Sequence, residues 1–336
     1  MRFLRASCLL PMIALLVGAL VILPFYSSPS TFSAATKFTN SLSSYIPSYS
    51  FKSSASQRAA VSPFDLSTIK KNKRYAITSS VQTASFTGFA LNLAYSIQKF
   101  NDLEALDAEL ILLVRTEGTD GVSAENITRL EKVGWKVQVA EELEFDQVDT
   151  GAIRWWHKHN LNKLHIWTWT QYEKIVFIDA DVLCKGSFAE IFQVPGDLAA
   201  APDVWWNILV DNKFNSGVIV IRPNLEEFRS LFKAVSDPNM HAPNEADQAF
   251  LNNYYKFRYF GLPFKYNFNL VMFTYHKEQW DMLWDEAVFV HFTVRKPSAN
   301  KHCERTCDQW EALSWYRMMY QEMLDFNGFT DLPVLG

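Results

Sequence analysis

Two aspartates separated by one residue, Asp179 and Asp181, directly follow the apolar run at residues 175–178. This run of β-branched and aromatic side chains predicts a buried strand. Neighbouring carboxylates repel each other unless a cation lies between them, and oxygen ligands favour Mg²⁺ or Mn²⁺ held jointly with a substrate's phosphates. Ligands of open α/β sheets also bind at the carboxyl ends of the strands. The pair therefore predicts a metal–diphosphate site, although a lone Asp-x-Asp is more often a solvated turn.

The elements that must position this pair alternate along the chain. Hydrophobic periodicity predicts strands at 75–78, 110–114, 135–139, 175–178, 218–221 and 287–292. Helices are predicted at 84–100, 123–133, 161–170, 224–235, 244–253 and 307–324, with Ser123 as an N-cap. Strands that alternate with helices indicate a doubly wound, mainly parallel sheet with helices on both faces.

Other residues with reactive or binding side chains lie beside these elements. Residues 214–217 are expected to form a polar turn before a strand, and Gly217 would permit close approach of another group. His291 ends the final strand, where a lone histidine is more often a hydrogen-bonded core residue. Lys163 and Arg154 precede the acidic pair and would reach a diphosphate, or they are ordinary surface cations.

Composition restricts the class of protein. The chain has 336 residues, 49% of them hydrophobic, which is enough for one large domain or two small ones. Its formal net charge of −4 gives no basic surface for nucleic acid. The 50 aromatic residues (Trp 11, Tyr 13, Phe 26) suit the faces of sugar rings, but most of them are expected in the core.

The N-terminal segment predicts a membrane anchor. Arg2 and Arg5 precede an uncharged apolar run at 6–26, and roughly 20 such residues span a bilayer. The positive charges place residues 1–5 in the cytoplasm. A flexible, Ser-rich stem is expected at 27–73, followed by a single lumenal catalytic domain at 74–336.

Two features near this boundary leave alternatives open. A cleaved signal peptide ending near Ser33-Ala34-Ala35 would replace the anchor. The sequon at Asn126 is usable only in a lumenal domain. Cys303 and Cys307 are close enough to form a small disulfide or to remain free, and no Cys/His cluster has zinc spacing.

Five blocks, in order from about residue 75 to residue 297, make the chain resemble glycosyltransferase family 8, the group of glycogenin and the galactinol synthases. The blocks are Lys163-Leu164…Trp167…Thr170-Gln171-Tyr172…Phe177-Ile178-Asp179-Ala180-Asp181, Phe214-Asn215-Ser216-Gly217-Val218, Asp247-Gln248…Leu251-Asn252, Leu262-Pro263-Phe264…Tyr266-Asn267 and His291-Phe292…Lys296-Pro297. The resemblance implies the GT-A fold, with a Rossmann-like sheet, and transfer of a sugar from a nucleotide donor with retention at the anomeric carbon.

The resemblance also implies roles for individual residues. Asp179, Asp181 and His291 would bind Mn²⁺, with Mg²⁺ as the alternative ion. The remaining donor contacts are implied as follows: Lys163, Arg154 and Lys296 to the diphosphate, Thr78 and Ala180 to the nucleoside, Asn215, Ser216 and Gly217 to the sugar, and Asp247 and Gln248 to the sugar near its anomeric carbon. The catalytic group is expected to be Asp247, Gln248 and Lys163. An amide is a poor nucleophile, so front-face attack is the expected route.

Departures from the family pattern affect base and sugar recognition. The aromatic residue near the base is Phe86 at best, within a poorly matching loop at 79–87. Asn244 stands where a second sugar-binding aspartate is common, and the segment from His291 to Lys296 is shorter than in glycogenin. No counterpart of glycogenin's self-glucosylated tyrosine is evident.

The sequence therefore predicts a Mn²⁺-dependent retaining glycosyltransferase, anchored in the Golgi or ER membrane as a single-pass type II protein. Its donor is expected to be a UDP-hexose or UDP-N-acetylhexosamine, and its acceptor a glycan, lipid or polyol. The alternatives are a catalytically silent nucleotide-sugar-binding protein on the same fold, a self-glucosylating primer similar to glycogenin, and a structural membrane protein without a ligand.

Overall fold

The computed structural model describes residues 73–143, 159–205, 213–241, 246–297 and 310–333, all within one compact unit. The strands are β1 (Tyr75–Val81), β2 (Ala108–Val114), β3 (Lys136–Val139), β4 (Lys174–Ile178), β5 (Val182–Cys184), β6 (Leu198–Pro202), β7 (Phe214–Ile221), β8 (Phe260–Gly261), β9 (Phe268–Asn269) and β10 (Phe289–His291). The helices are α1 (Thr87–Phe100), α2 (Ala124–Lys132), α3 (Leu225–Val235), α4 (Ala246–Tyr255), α5 (Leu270–Tyr275), α6 (Lys277–Leu283) and α7 (Trp310–Asn327).

The main sheet has seven strands in the order β3-β2-β1-β4-β7-β6-β8. Strands β3, β2, β1 and β4 are mutually parallel, β7 is antiparallel to both β4 and β6, and β8 is parallel to β6. Every residue of β2, β4 and β7 is buried, as expected for apolar strands covered on both faces. The predicted mainly parallel, doubly wound sheet is confirmed.

Alternate residues of β4 enter two separate apolar clusters, one on each face of the sheet. Val176 and Ile178 pack in a cluster that includes residues of α1 and α7. Ile175 and Phe177 pack in the other, which includes residues of α3 and α4. This is the two-residue period of a strand, and it fixes which side chains of the following turn face each layer.

A second, three-stranded sheet has the order β5-β10-β9. Strand β5 begins immediately after Asp181 and pairs antiparallel with β10, with His291 opposite Val182. Strand β9 pairs parallel with β10. The predicted final strand at 287–292 is therefore β10, in a sheet separate from the one that contains β4.

Two local predictions need correction. The segment predicted as a helix at 161–170 is a 3₁₀ helix at Asn160–Thr168, in which every residue from Leu161 onward is buried. The predicted helix is therefore present, but it has 3₁₀ winding and no exposed face. The polar residues 214–217 are not a turn but the first half of β7. They extend beyond the end of β4 and pair with β6 at Pro202, where the register shifts.

The helices at the ends of the described chain begin and end close to the predicted positions. Ser123 caps α2 by accepting a hydrogen bond from the Asn126 N–H, as expected.

Among the residues that the structure describes, no helix is long and apolar enough to cross a bilayer. The predicted tail, anchor and nearly all of the stem, together with Arg154, Asn244, Cys303 and Cys307, lie outside the described residues.

Candidate functional site

The aspartate pair lies in the tight turn between β4 and β5. The Asp179 N–H donates to the Gly217 carbonyl of β7 at 2.7 Å, and the Asp181 carbonyl accepts from the Phe292 N–H at 3.0 Å. The Val182 N–H donates back to the Asp179 carbonyl at 3.1 Å. The turn is thus fixed both to the main sheet and to the chain that follows β10.

His291 meets the two aspartates because the second sheet brings β10 beside β5. Ligand atoms of Asp179, Asp181 and His291 all lie within 4.8 Å of one another, and His291 Nε2 is 3.4 Å from Asp181 Oδ1. His291 Nδ1 is bonded to Asn267 Oδ1 at 2.9 Å. The structure brings together the three predicted metal ligands, with Nε2 turned toward the carboxylates.

Gly217 packs directly against the imidazole of His291. A Cβ atom at this position would lie 2.8 Å from His291 Nδ1 and nearer still to Cε1, which is well inside normal van der Waals contact. The close approach predicted for Gly217 is therefore made by a side chain of the site itself.

Lys163 is a buried cation, not a surface one. Its side chain is 3% exposed, and Nζ lies 2.6 Å from Asp247 Oδ2 and 3.5 Å from Asp179 Oδ1. Nζ also stands 4.4 Å from the centre of the Phe177 ring. Burial alone would lower the pKa of Lys163, but the two carboxylates hold it above its ordinary value. Lys163 therefore carries a fixed positive charge between Asp179 and Asp247.

The second cation, Lys296, forms an ion pair with Asp181 and donates to the Phe292 carbonyl at 2.7 Å. Burial alone would raise the pKa of Asp181, but Lys296 and His291 hold it below the usual range for aspartate. Burial is also the main cause that raises the pKa of Asp179, with a smaller contribution from the neighbouring Asp181. The environments of the two aspartates thus shift their pKa values in opposite directions.

Hydrogen bonds connect the start of α4 to the start of β7. Ser216 Oγ donates to Asp247 Oδ2 at 2.8 Å, and the Ser216 N–H donates to Gln248 Oε1 at 3.2 Å. Gln248 Nε2 in turn donates to Asp203 Oδ2 at 3.0 Å. The predicted sugar-contacting residues are therefore adjacent, but their polar groups already bond to one another.

Sequence reasoning missed Asp203, which lies just after β6 and accepts from three side chains. Its Oδ1 accepts from Asn215 Nδ2, and its Oδ2 accepts from Gln248 and from the indole Nε1 of Trp205, each at 3.0 Å. The available signal was an aspartate directly after the apolar run 198–202. Because β6 was not predicted as a strand, Asp203 was not recognised as a residue that follows the end of a strand.

A cavity of about 210 Å³ opens beside the aspartate pair. It is lined by Ser80, Gln82, Thr83, Phe86, Asn160, Lys163, Asp179, Ala180, Asp181 and Lys296. A larger cavity of about 310 Å³ near α1 and α7 has no charged lining residue, whereas two carboxylates and two ammonium groups line the cavity beside the aspartate pair. Thr78 is fully buried within β1 and does not line either cavity, whereas Ser80, Gln82 and Asn160 were not predicted.

The charges of this constellation suit a divalent cation. Three carboxylates (Asp179, Asp181 and Asp247) pair with two ammonium groups (Lys163 and Lys296), and a fourth, Asp203, joins them through Asn215 and Gln248. The carboxylates of the site thus outnumber its ammonium groups by two. Two carboxylate oxygens and one imidazole nitrogen are ligands that Mn²⁺ accepts readily. Asp179, Asp181 and His291 could therefore hold a divalent metal ion.

Relatives of known name match parts of this chain. Mouse Glycogenin-1 is 34% identical over 144 residues, which are 40% of each chain. Galactinol synthase 5 of Arabidopsis thaliana is 26% identical over 219 residues, which are 54% of this chain and 64% of that one. The chain thus spans less than two thirds of the length of either relative.

Solved structures show the same fold at low sequence identity. The glycosyltransferase GlyE of Streptococcus pneumoniae TIGR4 superposes with a TM-score of 0.52 and 17% identity, covering 79% of this chain and 66% of that one. The galactosyltransferase LgtC, solved with donor and acceptor sugar analogs, superposes with a TM-score of 0.50 and 15% identity, covering 77% and 97%. The predicted GT-A fold is thereby confirmed.

A family model covers most of the described chain. The model of glycosyl transferase family 8 matches residues 72–297, which include every element from β1 to β10 and every residue of the site described above. The chain therefore belongs to glycosyl transferase family 8.

Proposed function

We propose that this protein is a retaining, Mn²⁺-dependent glycosyltransferase that moves a hexose or N-acetylhexosamine from a UDP-sugar to a hydroxyl of a glycan. The observation that carries the proposal is the convergence of Asp179, Asp181 and His291 within 4.8 Å, beside a cavity that both aspartates line together with Lys163 and Lys296. A carboxylate–imidazole cluster next to two ammonium groups suits a metal-bound diphosphate better than any neutral ligand.

The donor would extend from the cavity toward α4. Ser80, Gln82 and Phe86 line the end of the cavity that we assign to the nucleoside. A divalent ion held by Asp179, Asp181 and His291 would supply charge neutralisation at the two phosphates. The sugar would then face Asp247 and Gln248, which lie on the other side of Lys163.

Lys163 and Lys296 supply the positive charge that a departing UDP needs. Lys163 is held in place by Asp247 and Asp179, so its ammonium group needs little reorganisation as negative charge develops nearby. Lys296 is bonded to Asp181 and is 37% exposed, so it is free to exchange this partner for a phosphate oxygen. Both make charge-assisted bonds in this scheme.

The contacts of Gln248 favour front-face transfer over a covalent intermediate. Its Oε1 already accepts from the Ser216 N–H and its Nε2 already donates to Asp203. Attack by the amide oxygen would break the first of these bonds as well as using a weak nucleophile. We therefore assign Gln248 to orienting the sugar, and the leaving diphosphate to accepting the proton of the acceptor hydroxyl.

Trp205 favours a glycan over a lipid or a polyol as acceptor. Trp205 is 44% exposed, and its Nε1 donates to the same Asp203 oxygen as Gln248. A partly exposed aromatic ring next to Gln248 suits the apolar face of a pyranose ring. Burial of on the order of 50 Å² of apolar surface there would be worth roughly 1 kcal/mol.

The secretory pathway remains the proposed location, on the basis of the charge and length of the N-terminal apolar run. Carbonate extraction and protease protection test this proposal. A full-length, carbonate-resistant, lumenally protected chain is the expected result, whereas a shortened soluble chain would indicate a cleaved signal peptide.

The central experiment measures UDP release from a panel of UDP-sugars in Mn²⁺, with and without a chelator. We expect release from at least one donor, lost on chelation and abolished by Asp181→Ala. Asp285→Ala, which removes an exposed carboxylate, is the matched control and should behave as wild type. Wild-type turnover by Asp181→Ala would refute the metal assignment, and UDP binding without release from any donor would indicate the catalytically silent alternative.

The acceptor assignment has its own test. Once a donor is known, Trp205→Ala should raise the KM for a glycan acceptor by about five- to tenfold, as follows from roughly 1 kcal/mol of lost burial. Trp205→Phe should restore most of the affinity because it keeps an aromatic face. An unchanged KM in Trp205→Ala would refute the stacking role.

A further inference from the structure

Asn215 is a buried side chain whose orientation is fixed from both ends. Its Oδ1 accepts from the Gly217 N–H at 2.9 Å, and its Nδ2 donates to Asp203 Oδ1 at 3.0 Å. A backbone N–H can only donate and an ionised carboxylate can only accept. The direction of this amide is therefore set by the chemistry of its partners and does not rest on an arbitrary choice between its oxygen and its nitrogen.

The fixed amide of Asn215 determines the direction of a second one. Asn267 Nδ2 donates to Asn215 Oδ1 at 2.8 Å, so Asn267 Oδ1 is the atom that faces His291 Nδ1 at 2.9 Å. If the Asn267 amide were reversed, two oxygens would face each other with no hydrogen between them. Asn215, Asn267 and His291 are 7%, 1% and 4% exposed, so water has little access to compensate such a reversal.

This chain of amides places a proton on Nδ1 of His291. An acceptor oxygen at Nδ1 requires hydrogen on Nδ1, and the other nitrogen, Nε2, is the atom beside Asp181. A ring nitrogen that binds a metal ion must be unprotonated, and the bond at the other nitrogen sets the tautomer.

We propose that Asn267 is a positioning residue that holds His291 with its proton on Nδ1, so that Nε2 is presented to the cation. Asn215 acts one step further away, because it sets the direction of Asn267. The inference rests on the metal site of the proposed function, and it gives Asn215 a task distinct from the sugar contact implied by the family resemblance.

The first test reads the tautomer without any metal. In protein labelled with ¹⁵N-histidine, His291 is assigned by comparison with His291→Gln and its ring nitrogens are examined at mildly alkaline pH. We expect a proton on Nδ1 in the wild type and a mixture of tautomers in Asn267→Leu. A wild-type His291 protonated only on Nε2 would overturn the proposal.

The second test measures Mn²⁺ affinity from the electron paramagnetic resonance signal of the free ion. Loss of a hydrogen bond to a ligating histidine typically costs 10–100-fold in metal affinity, so Asn267→Leu should bind Mn²⁺ about 10–100-fold more weakly than wild type. Asn267→Asp keeps an obligate acceptor at Nδ1 but turns a second oxygen toward Asn215 Oδ1, so it should lose less Mn²⁺ affinity than Asn267→Leu does.

Asn101→Leu is the control for removal of a buried asparagine. Within the described part of the chain, the Asn101 side chain bonds to the Phe188 N–H, the Ile97 and Gly186 carbonyls and Cys184, and its replacement should leave Mn²⁺ affinity unchanged. Equal losses in Asn267→Leu and Asn267→Asp, or no loss in the former, would reject the positioning role. If the wild type binds no Mn²⁺, the metal site of the proposed function fails, while the ¹⁵N spectrum still decides the tautomer.

Discussion

The contact between Gly217 and His291 provides a sharp test of the site, because a single methyl group at position 217 must displace a predicted metal ligand. In Gly217→Ala the new Cβ would lie 2.8 Å from His291 Nδ1 and 2.9 Å from Asn215 Oδ1. A normal contact distance is about 3.5 Å, so the imidazole must move by at least about 0.7 Å. Both neighbours are buried and belong to one hydrogen-bonded chain, so neither can move alone.

The expected displacement of the His291 imidazole is larger than a metal site tolerates. Ligands must be held within about 0.5 Å of their working positions, and a misplacement of about 1 Å can cost roughly 100-fold in rate. We therefore expect Gly217→Ala to lose Mn²⁺ affinity by at least tenfold and UDP release by about 100-fold. Its free energy of unfolding should fall by about 1–3 kcal/mol, the usual cost of overpacking.

Metal titration, UDP release and urea unfolding measure these three quantities on the same preparation. Gly261→Ala is the matched control, since a Cβ at position 261 would meet no atom within 4 Å. That variant should match the wild type in all three assays. If Gly217→Ala retained Mn²⁺ affinity and turnover within about twofold of wild type, the assignment of His291 as a ligand at this position would be wrong.

Three further predictions concern the buried charge, the thiol and a helix cap. Lys163→Met leaves Asp179 and Asp247 buried without their cation. It should therefore lower the free energy of unfolding, measured in urea, by about 3–5 kcal/mol. A loss below about 1 kcal/mol would contradict the buried ion pairs. Burial raises the pKa of Cys184 to about 12; because the thiolate is the reactive form, alkylation should stay slow from about pH 7 to about pH 9 in the native protein and become rapid in urea. Peptide mass spectrometry measures the extent, and rapid native labelling of Cys184 would refute its burial. Asn224 accepts from two backbone N–H groups at the start of α3, so Asn224→Ala should cost about 1 kcal/mol in urea unfolding with Mn²⁺ affinity unchanged, and a loss of affinity would contradict a purely local role.

Local sequence patterns were sufficient to predict an element wherever that element had a clear periodicity or a capping residue of its own. The apolar run of β4 is buried throughout, and the N-cap at Ser123 begins α2, because a strand's period and a cap's hydrogen bond depend on neighbouring residues alone. The strands β5, β8 and β9 have too few residues to show any period, and β6 consists mainly of alanine and ends in proline, residue types that strands disfavour. For that reason Asp203, which follows β6, could not be recognised as part of the site.

The sequence by itself determined the residue types of the site. These are two carboxylates separated by one residue, a histidine at the end of a strand, and lysines before and after the aspartate pair in the chain. Only the tertiary structure decided how they are connected. Lys163 lies between Asp179 and Asp247, residues far apart in the chain, and His291 reaches the aspartates through pairing of β10 with β5. The direction of the Asn215 and Asn267 amides likewise follows from their buried partners. Composition and periodicity report what each segment prefers, whereas burial and hydrogen bonding between distant segments fix charge, tautomer and contact, because these depend on groups that meet only when the chain is folded.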